Sequence, residues 1–457
     1  MPGINEQPPF KVLIVGGSYA GLAATLNLVD LCQGRKCRFN VDEADKAPEH
    51  KVPVQVTIVD ERDGYCMLYL KAFEKNHRAN PSCLVHIIGQ PLAVGSKSDA
   101  STFWQKFEDI PALQSPDINH IQGQVESVDC KSRTARIVQS AGDEGHRIVE
   151  QKYDYMVACS GLRREWPSAP KSLTREAYLA ETAESVQTIE NAAAGVVVVG
   201  GGAVGIEIAA EIKMLQPQLK VTLVHSRQQL LSSEDLPVEF KDKTLEMLKE
   251  SNVEVVMGAR LQETVPADDS TSAKLILKLS DGRELFADHV INAVSRFTPT
   301  SSYLPKDACD PEGYVRITPG LQFSGDVPNK EFHYAAGDLA CWSGIKRGGA
   351  AMHQAHFAAV NIHQRMLAHL YKTKPKFNEL VEVAPMMALA LGKTAVGYFP
   401  TMGLTVGDTI RNMFFNEDLG YGSKSTRSLF LLFMKFLLTE TVCWRWMRLG
   451  EPTAYKL

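Results

Sequence analysis

The chain is poor in the features that would place it outside the cell or across a bilayer. Its nine cysteines are an odd number in 457 residues, widely scattered and without a C-x-x-C pair. That excludes both a secreted disulfide framework and a thioredoxin-like electron relay. Residues 1–9 lack the apolar h-region of a secretory signal and the Arg-rich character of a transit peptide, so an intracellular location is expected, cytoplasmic or peripheral on a membrane and not secreted. The strongly apolar stretch 429–438 is shorter than the about 20 residues of a spanning helix. The net charge is −4 and no basic block interleaved with aromatics occurs, which argues against a nucleic-acid partner. No repeat of fixed period and no low-complexity tract is present. Apolar content of 44% with 22% charged residues is that of an ordinary globular chain, and the length suggests about three domains.

Against this plain background stand two glycine fingerprints. Gly16-Gly17-Ser18-Tyr19-Ala20-Gly21 follows the strand-like Val12-Leu13-Ile14-Val15, and Gly200-Gly201-Gly202-Ala203-Val204-Gly205 follows Val196-Val197-Val198-Val199. Each leads into a helical apolar period, Leu22, Leu26 and Val29 in the first and Ile206, Ala209 and Ile212 in the second. Small residues let the backbone approach a pyrophosphate, and the helix N-terminus offers unpaired N–H groups and partial positive charge. Two such turns predict two bound dinucleotides.

The strands that follow the turns differ. Val56-Thr57-Ile58-Val59 ends in Asp60, a carboxylate placed to accept from ribose hydroxyls, later than the usual spacing because a polar stretch over 32–53 intervenes as a surface insertion. Val221-Thr222-Leu223-Val224 ends instead in His225, followed by Ser226 and Arg227, which tolerate or bind a 2′-phosphate and make NADPH a plausible donor. Cys32 and Cys37 have C-x4-C spacing but precede the second strand, so they read as ordinary thiols.

Three further segments complete the pattern. Residues 153–161 read as a strand returning to the first unit and ending at Gly161, residues 288–294 as its counterpart after the second fingerprint, and residues 332–338 as a strand running into the turn Gly337-Asp338. The fold expected is α/β, with two Rossmann-like dinucleotide-binding domains, the nicotinamide domain inserted in the FAD domain, and a smaller C-terminal segment. The boundaries are 10–162 and 289–372 for the FAD domain, 163–288 for the NAD(P)H domain and 373–457 for the C-terminal segment.

In order and wording the chain resembles the ferroptosis-suppressor and apoptosis-inducing-factor-like (AMID-like) branch of NAD(P)H:quinone oxidoreductases, related to type II NADH dehydrogenases and to the pyridine nucleotide-disulfide oxidoreductases. The resemblance is carried by residues 196–226 with their His225-Ser226 ending, and by Ala388-Leu389-Ala390-Leu391-Gly392-Lys393 with Val396-Gly397. It implies that Asp338 contacts the ribityl chain of the flavin, that Glu207 lies near nicotinamide and flavin, and that Lys346 lies near the flavin N1–C2 edge, where positive charge would stabilise the reduced anion. Two departures are Ser18 in place of the middle glycine and Cys66 where the branch often has histidine. A third is the opening Met1-Pro2-Gly3, which lacks the Met-Gly of myristoylated relatives. The C-terminal run with Lys424, Arg427, Lys435, Arg445 and Arg448 reads either as an interfacial membrane helix or as a helix packed on the flavin domain or on a second subunit, a homodimer contact.

The function implied is FAD-dependent oxidation of NAD(P)H with electrons passed to a quinone or similar lipophilic acceptor. A tailoring oxidoreductase of a biosynthetic pathway and a slow signalling flavoprotein remain open alternatives. The Baeyer–Villiger monooxygenase pattern is absent.

Overall fold

The computed structural model describes residues 7–38, 47–66, 104–140, 145–268, 272–294, 297–346, 348–407 and 410. Its first sheet starts from two β-branched runs, β1 (Phe10–Val15), buried from Val12 onward, and β2 (Val54–Asp60), buried at Val54 and from Val56 to Val59. Beside them lies a short antiparallel ribbon of β3 (Gly64–Cys66) and β4 (Trp104–Lys106). The sheet continues through β5 (Ile118–Asp129), β6 (Thr134–Ser140), β7 (His146–Lys152) and β8 (Tyr155–Ala158). Strand order is β19-β8-β1-β2-β5-β6-β7, where β19 is the later segment His333–Ala335. The pairs from β19 to β5 are parallel and β5 to β7 form an antiparallel meander.

Register decides where the site falls. β1 pairs with β2 up to Val15↔Val59 and with β8 up to Val15↔Ala158. The chain therefore leaves the sheet at Gly16, Asp60 and Cys159 along one edge, the carboxyl ends of the strands where ligands bind in open α/β sheets. Helix α1 (Tyr19–Cys32) is buried on nearly every side because it lies between this sheet and a later helix, Gly348–Tyr371. Ala23, Ala24, Ala355, Ala358 and Ala359 of the two helices are all buried in the core they share.

The polar stretch after α1 is not loose surface where it is described. Asp30, buried on α1, accepts from Arg38 Nε at 2.8 Å and also pairs with Arg35, while Val52 N–H donates to the Cys32 carbonyl. Cys32 is a free, buried thiol whose pKa burial pushes up, so the C-x4-C pair forms no disulfide there.

The chain crosses to a second sheet through β9 (Leu162–Arg163) and α2 (Arg175–Glu190), whose first turn is capped by the Thr174 hydroxyl accepting from Ala177 N–H. That sheet has β10 (Val196–Val199), β11 (Val221–His225) and β12 (Glu254–Met257), all parallel, with α3 (Ala203–Leu215) and α4 (Val238–Glu250) on one face. Its other face is covered by the meander β13 (Leu261–Pro266), β14 (Leu275–Leu279) and β15 (Glu284–Ala287). The fourth strand, β16 (His289–Asn292), pairs in parallel with β10. The second unit thus runs past the boundary expected at 288, because a doubly wound sheet needs this strand beside its fingerprint strand.

The return crossing, β17 (Thr298–Pro299), pairs with β9, so the two connections between the sheets are bonded to each other. The short pair β18 (Val315–Arg316) and β20 (Ala340–Cys341) flanks β19, and α5 (Gly348–Tyr371) follows. The C-terminal hairpins β21 (Met387–Leu391), β22 (Thr394–Phe399) and β23 (Gly403–Val406) place Met387, Leu389, Leu391 and Val396 in the same core as α3. No helix among the described residues is long and apolar enough to cross a membrane. The run 429–438 and its flanking cations lie outside the described residues.

Candidate active site

At the carboxyl edge of the first sheet a cleft of about 590 Å³ is bounded by the first fingerprint, the end of β2, the Gly161 turn, the Gly337-Asp338 turn and the start of α5. Gly16, Gly17, Ser18, Ala20, Asp60, Gly161, Gly337 and Asp338 all line it. Gly16 has φ +104°, and a Cβ there would lie 2.5 Å from the Cys159 carbonyl oxygen. Gly21 lies beneath the turn, where a Cβ would collide with the Gly16 carbonyl oxygen. Absence of side chains at these two positions lets strand, turn and helix close to the spacing a pyrophosphate cradle requires. Ser18 is exposed at the start of α1, its side chain making no cap bond to the helix.

Asp60 serves the same turn from the neighbouring strand. Its Oδ2 accepts the Gly17 N–H at 2.6 Å and its Oδ1 the Arg62 N–H at 2.8 Å. Burial raises its pKa, with Arg62 and the two backbone donors opposing the rise. Next to it Glu61 is gripped by both terminal nitrogens of Arg163, at 2.6 and 3.0 Å. Burial works against the Glu61 carboxylate, yet Arg163 and Arg62 together hold its pKa below the usual range.

The Gly161 turn is fixed across the β9–β17 crossing: the Gly161 carbonyl accepts from Thr300 N–H at 3.1 Å and from the Thr300 hydroxyl at 2.9 Å. Gly337, at φ +80°, donates its N–H to Gln354 Oε1 of α5 at 2.8 Å. Asp338 is held by Arg164 Nη2 at 2.6 Å, and the Arg164 guanidinium stands over the Phe297 ring at 4.8 Å. Both partners of this largely buried pair line the cleft. The sequence reading missed Arg164, whose signal was its place three residues after Gly161.

Lys346 does not line the cleft. Its ammonium donates to the Ala340 carbonyl at 2.7 Å and sits 4.5 Å from the centre of the Tyr314 ring. Burial lowers its pKa, while the charge of Asp338 acts the other way. Cys66 closes β3, and Cys159, which does line the cleft, is a buried thiol held protonated by desolvation.

The second turn repeats the first with one exchange of chemistry. Gly200 has φ +120°, and a Cβ on Gly205 would strike the Gly200 carbonyl oxygen, while a Cβ on Gly202 would meet nothing within 4 Å. The Gly201 N–H is accepted by His225 Nδ1 at 3.1 Å, as Gly17 N–H is by Asp60. The proton of the neutral ring therefore sits on Nε2, which faces the Gln229 carbonyl at 2.9 Å. Burial holds the His225 pKa below its ordinary value against the pull of Gln229, with Arg227 adding to the depression. Ser226 and Arg227 are exposed.

Glu207 is in the first turns of α3 but 6% exposed, and its Oε1 accepts the N–H of Ala390 in β21 at 3.2 Å. The structure brings it to the C-terminal sheet, not to the lining of the first cleft.

Two glycine turns, each at the carboxyl edge of a run of parallel strands and pinned by an acceptor from the next strand, define an α/β protein with two dinucleotide cradles. The chain belongs to the pyridine nucleotide-disulphide oxidoreductase family, whose model matches residues 10–359. Over 451 residues it is 47% identical to an oxidoreductase designated OXR1 from Ajellomyces capsulatus, covering 97% of this chain and 88% of the relative. Ferroptosis suppressor protein 1 of Xenopus tropicalis is more distant, at 26% identity over 87% of this chain and 90% of that protein. A water-forming NADH oxidase from Lactobacillus brevis, solved bound to NADH, superposes with a TM-score of 0.55 at 17% identity, over 85% of this chain and 74% of that one. The family binds FAD and NAD(P)H, and this chain is an FAD/NAD(P)-dependent oxidoreductase.

Proposed function

We propose that the protein oxidises NAD(P)H through FAD and passes the electrons to a quinone-like, lipophilic acceptor. The observation that carries the nucleotide part is the paired turn: Gly17 N–H on Asp60 and Gly201 N–H on His225 prepare two cradles, on two sheets whose connecting strands are hydrogen bonded. The first suits FAD. Its glycine backbone leaves room at the phosphates, Asp60 presents a carboxylate to ribose hydroxyls, and the cleft continues past Gly161 to Asp338 and the N-terminus of α5. FAD, when bound, supplies a carrier that takes up two electrons from a dihydronicotinamide and releases them to an acceptor.

The residues of the chain do the positioning. Arg164 holds Asp338 at the ribityl position, Gln354 holds the Gly337 backbone, and the α5 N-terminus directs its partial positive charge into the cleft. Lys346 supports this turn from behind through Ala340. Glu207 acts as a positioning residue that seats β21 on α3, beside the second turn.

Cys159, which lines the cleft, is a buried thiol whose pKa burial raises, which speaks against a dithiol relay as the route for the electrons. The kinship with the ferroptosis suppressor proteins supports a lipophilic acceptor. The test is stopped-flow reoxidation of the NADPH-reduced protein. Short-chain ubiquinone analogues should reoxidise it faster than oxygen or a disulfide does; equal or greater speed with oxygen would reject the quinone-like acceptor.

A further inference from the structure

We propose that the second cradle selects the 2′-phosphorylated nicotinamide dinucleotide, with Ser226 and Arg227 as the residues that recognise the phosphate. The inference rests on reading that cradle as the nicotinamide site, and it assigns His225 a task other than ligand binding.

In the first cradle one residue has two tasks. Asp60 pins the turn by accepting from Gly17 N–H, and it leaves a negative charge at the strand end where the adenosine ribose lies. A carboxylate there accepts from a 2′-hydroxyl and repels a 2′-phosphate. In the second cradle these tasks are separated. His225 Nδ1 takes over the turn by accepting from Gly201 N–H, and Nε2 is engaged by the Gln229 carbonyl, with the Ser232 hydroxyl at 3.3 Å. The ring is 9% exposed, uncharged and has no acceptor left for a ribose hydroxyl. The turn is kept, and the repulsion is gone.

What remains at the strand end is Ser226 and Arg227. Both are exposed, and the loop carrying them is tied to the adjacent strand connection, the Gly258 N–H donating to the Arg227 carbonyl and the Ala259 N–H to the His225 carbonyl. Among the described residues the Arg227 guanidinium makes no ion pair. Arg227 follows the residue that stands in the acid's place by two positions, and its charge adds to the depression of the His225 pKa. A hydroxyl and a guanidinium that makes no ion pair with a described residue, on a backbone held by the next strand connection, form a recognition set for a phosphate dianion.

Isothermal titration of the FAD-loaded protein with two fragments, 2′,5′-ADP and 5′-ADP, tests this without turnover. The parent should bind 2′,5′-ADP at least about tenfold more tightly, the effect of one good charge-assisted contact. Arg227→Ala should bring the ratio near one while leaving 5′-ADP affinity unchanged, and Arg227→Lys should retain part of the preference. Equal affinities in the parent, or a preference that survives Arg227→Ala, would overturn the proposal. If the fragments bind equally and NADH and NADPH bleach the flavin alike, selectivity falls and the nicotinamide site stands. If neither fragment binds and neither coenzyme bleaches the flavin, both fall.

Discussion

Replacing Asp60 by alanine should damage FAD binding in two separable ways. In the folded chain the carboxylate receives Gly17 N–H at 2.6 Å and Arg62 N–H at 2.8 Å. Removing it strands a buried turn N–H, which costs about 1–3 kcal/mol and lowers the stability of the apo-protein. With FAD present, the ribose also loses a charge-assisted acceptor worth about 1.5–3 kcal/mol, so the Kd for FAD should rise about 10- to 100-fold. Asp60→Asn separates the two effects, because its amide oxygen still accepts from Gly17 but carries no charge: stability should recover more than affinity. The assay is quenching of FAD fluorescence on reconstitution of the apo-protein, with melting temperature measured in parallel. Binding of 2′,5′-ADP to the second cradle serves as the local control and should not change. An Asp60→Ala protein that binds FAD as tightly as the parent and melts at the same temperature would refute the assignment of Asp60 to both turn and ribose.

Other outcomes follow from the same geometry. Gly205→Ala puts a methyl group against the Gly200 carbonyl oxygen and should abolish nucleotide binding at the second cradle while FAD content persists, which nucleotide titration and the flavin spectrum together report. Glu207→Ala leaves the buried Ala390 N–H without its acceptor and should cost about 1–3 kcal/mol, seen as a lower denaturant midpoint, whereas Glu207→Gln should restore most of it. His120, His353, His356 and His363 are held by burial at pKa values of about 4. An unfolded histidine titrates near 6.5, so the unfolded chain takes up protons first: the stability these neutral rings retain above about pH 6.5 is lost as pH falls toward 4, on the order of 1.4 kcal/mol for each ring at pH 5.5. Melting temperature measured from pH 7.5 to 4.5 should fall steeply below 6.5; a flat profile would contradict the burial of these rings.

Much of the site was legible because its chemistry is local. Each fingerprint lies on a strand, a turn and a helix start that are contiguous in the chain, and the glycines are required by contacts within the turn itself. Asp60 stands out across a long intervening stretch because a strand ending in a carboxylate is its own signal, and the structure sets it against the Gly17 N–H of the first turn. His225 was legible in place but not in role: a tolerant neighbour of a phosphate in sequence, it spends both ring nitrogens inside the protein. Contacts between distant segments were not legible. Arg164 meets Asp338 across 174 residues and Glu207 meets Ala390 across 183. Nothing in the local pattern of either segment names its partner, and Lys346, equally cationic and nearer to Asp338 in sequence, turns instead to Ala340. The boundary at 288 failed for a related reason, since an apolar run like that of β16 suits either sheet and only its pairing with β10 decides between them.

In the proposed reaction one chain holds FAD in the Asp60 cradle and receives electrons from a nicotinamide nucleotide in the His225 cradle. Anaerobic titration of the purified protein, followed by flavin absorbance, tests it most directly. The expected result is a yellow protein with about one FAD per chain, bleached by about one equivalent of NADPH in the parent and not in Gly205→Ala, which dithionite still reduces. A colourless protein that takes up no FAD, or a flavin that only dithionite bleaches in the parent, would contradict it.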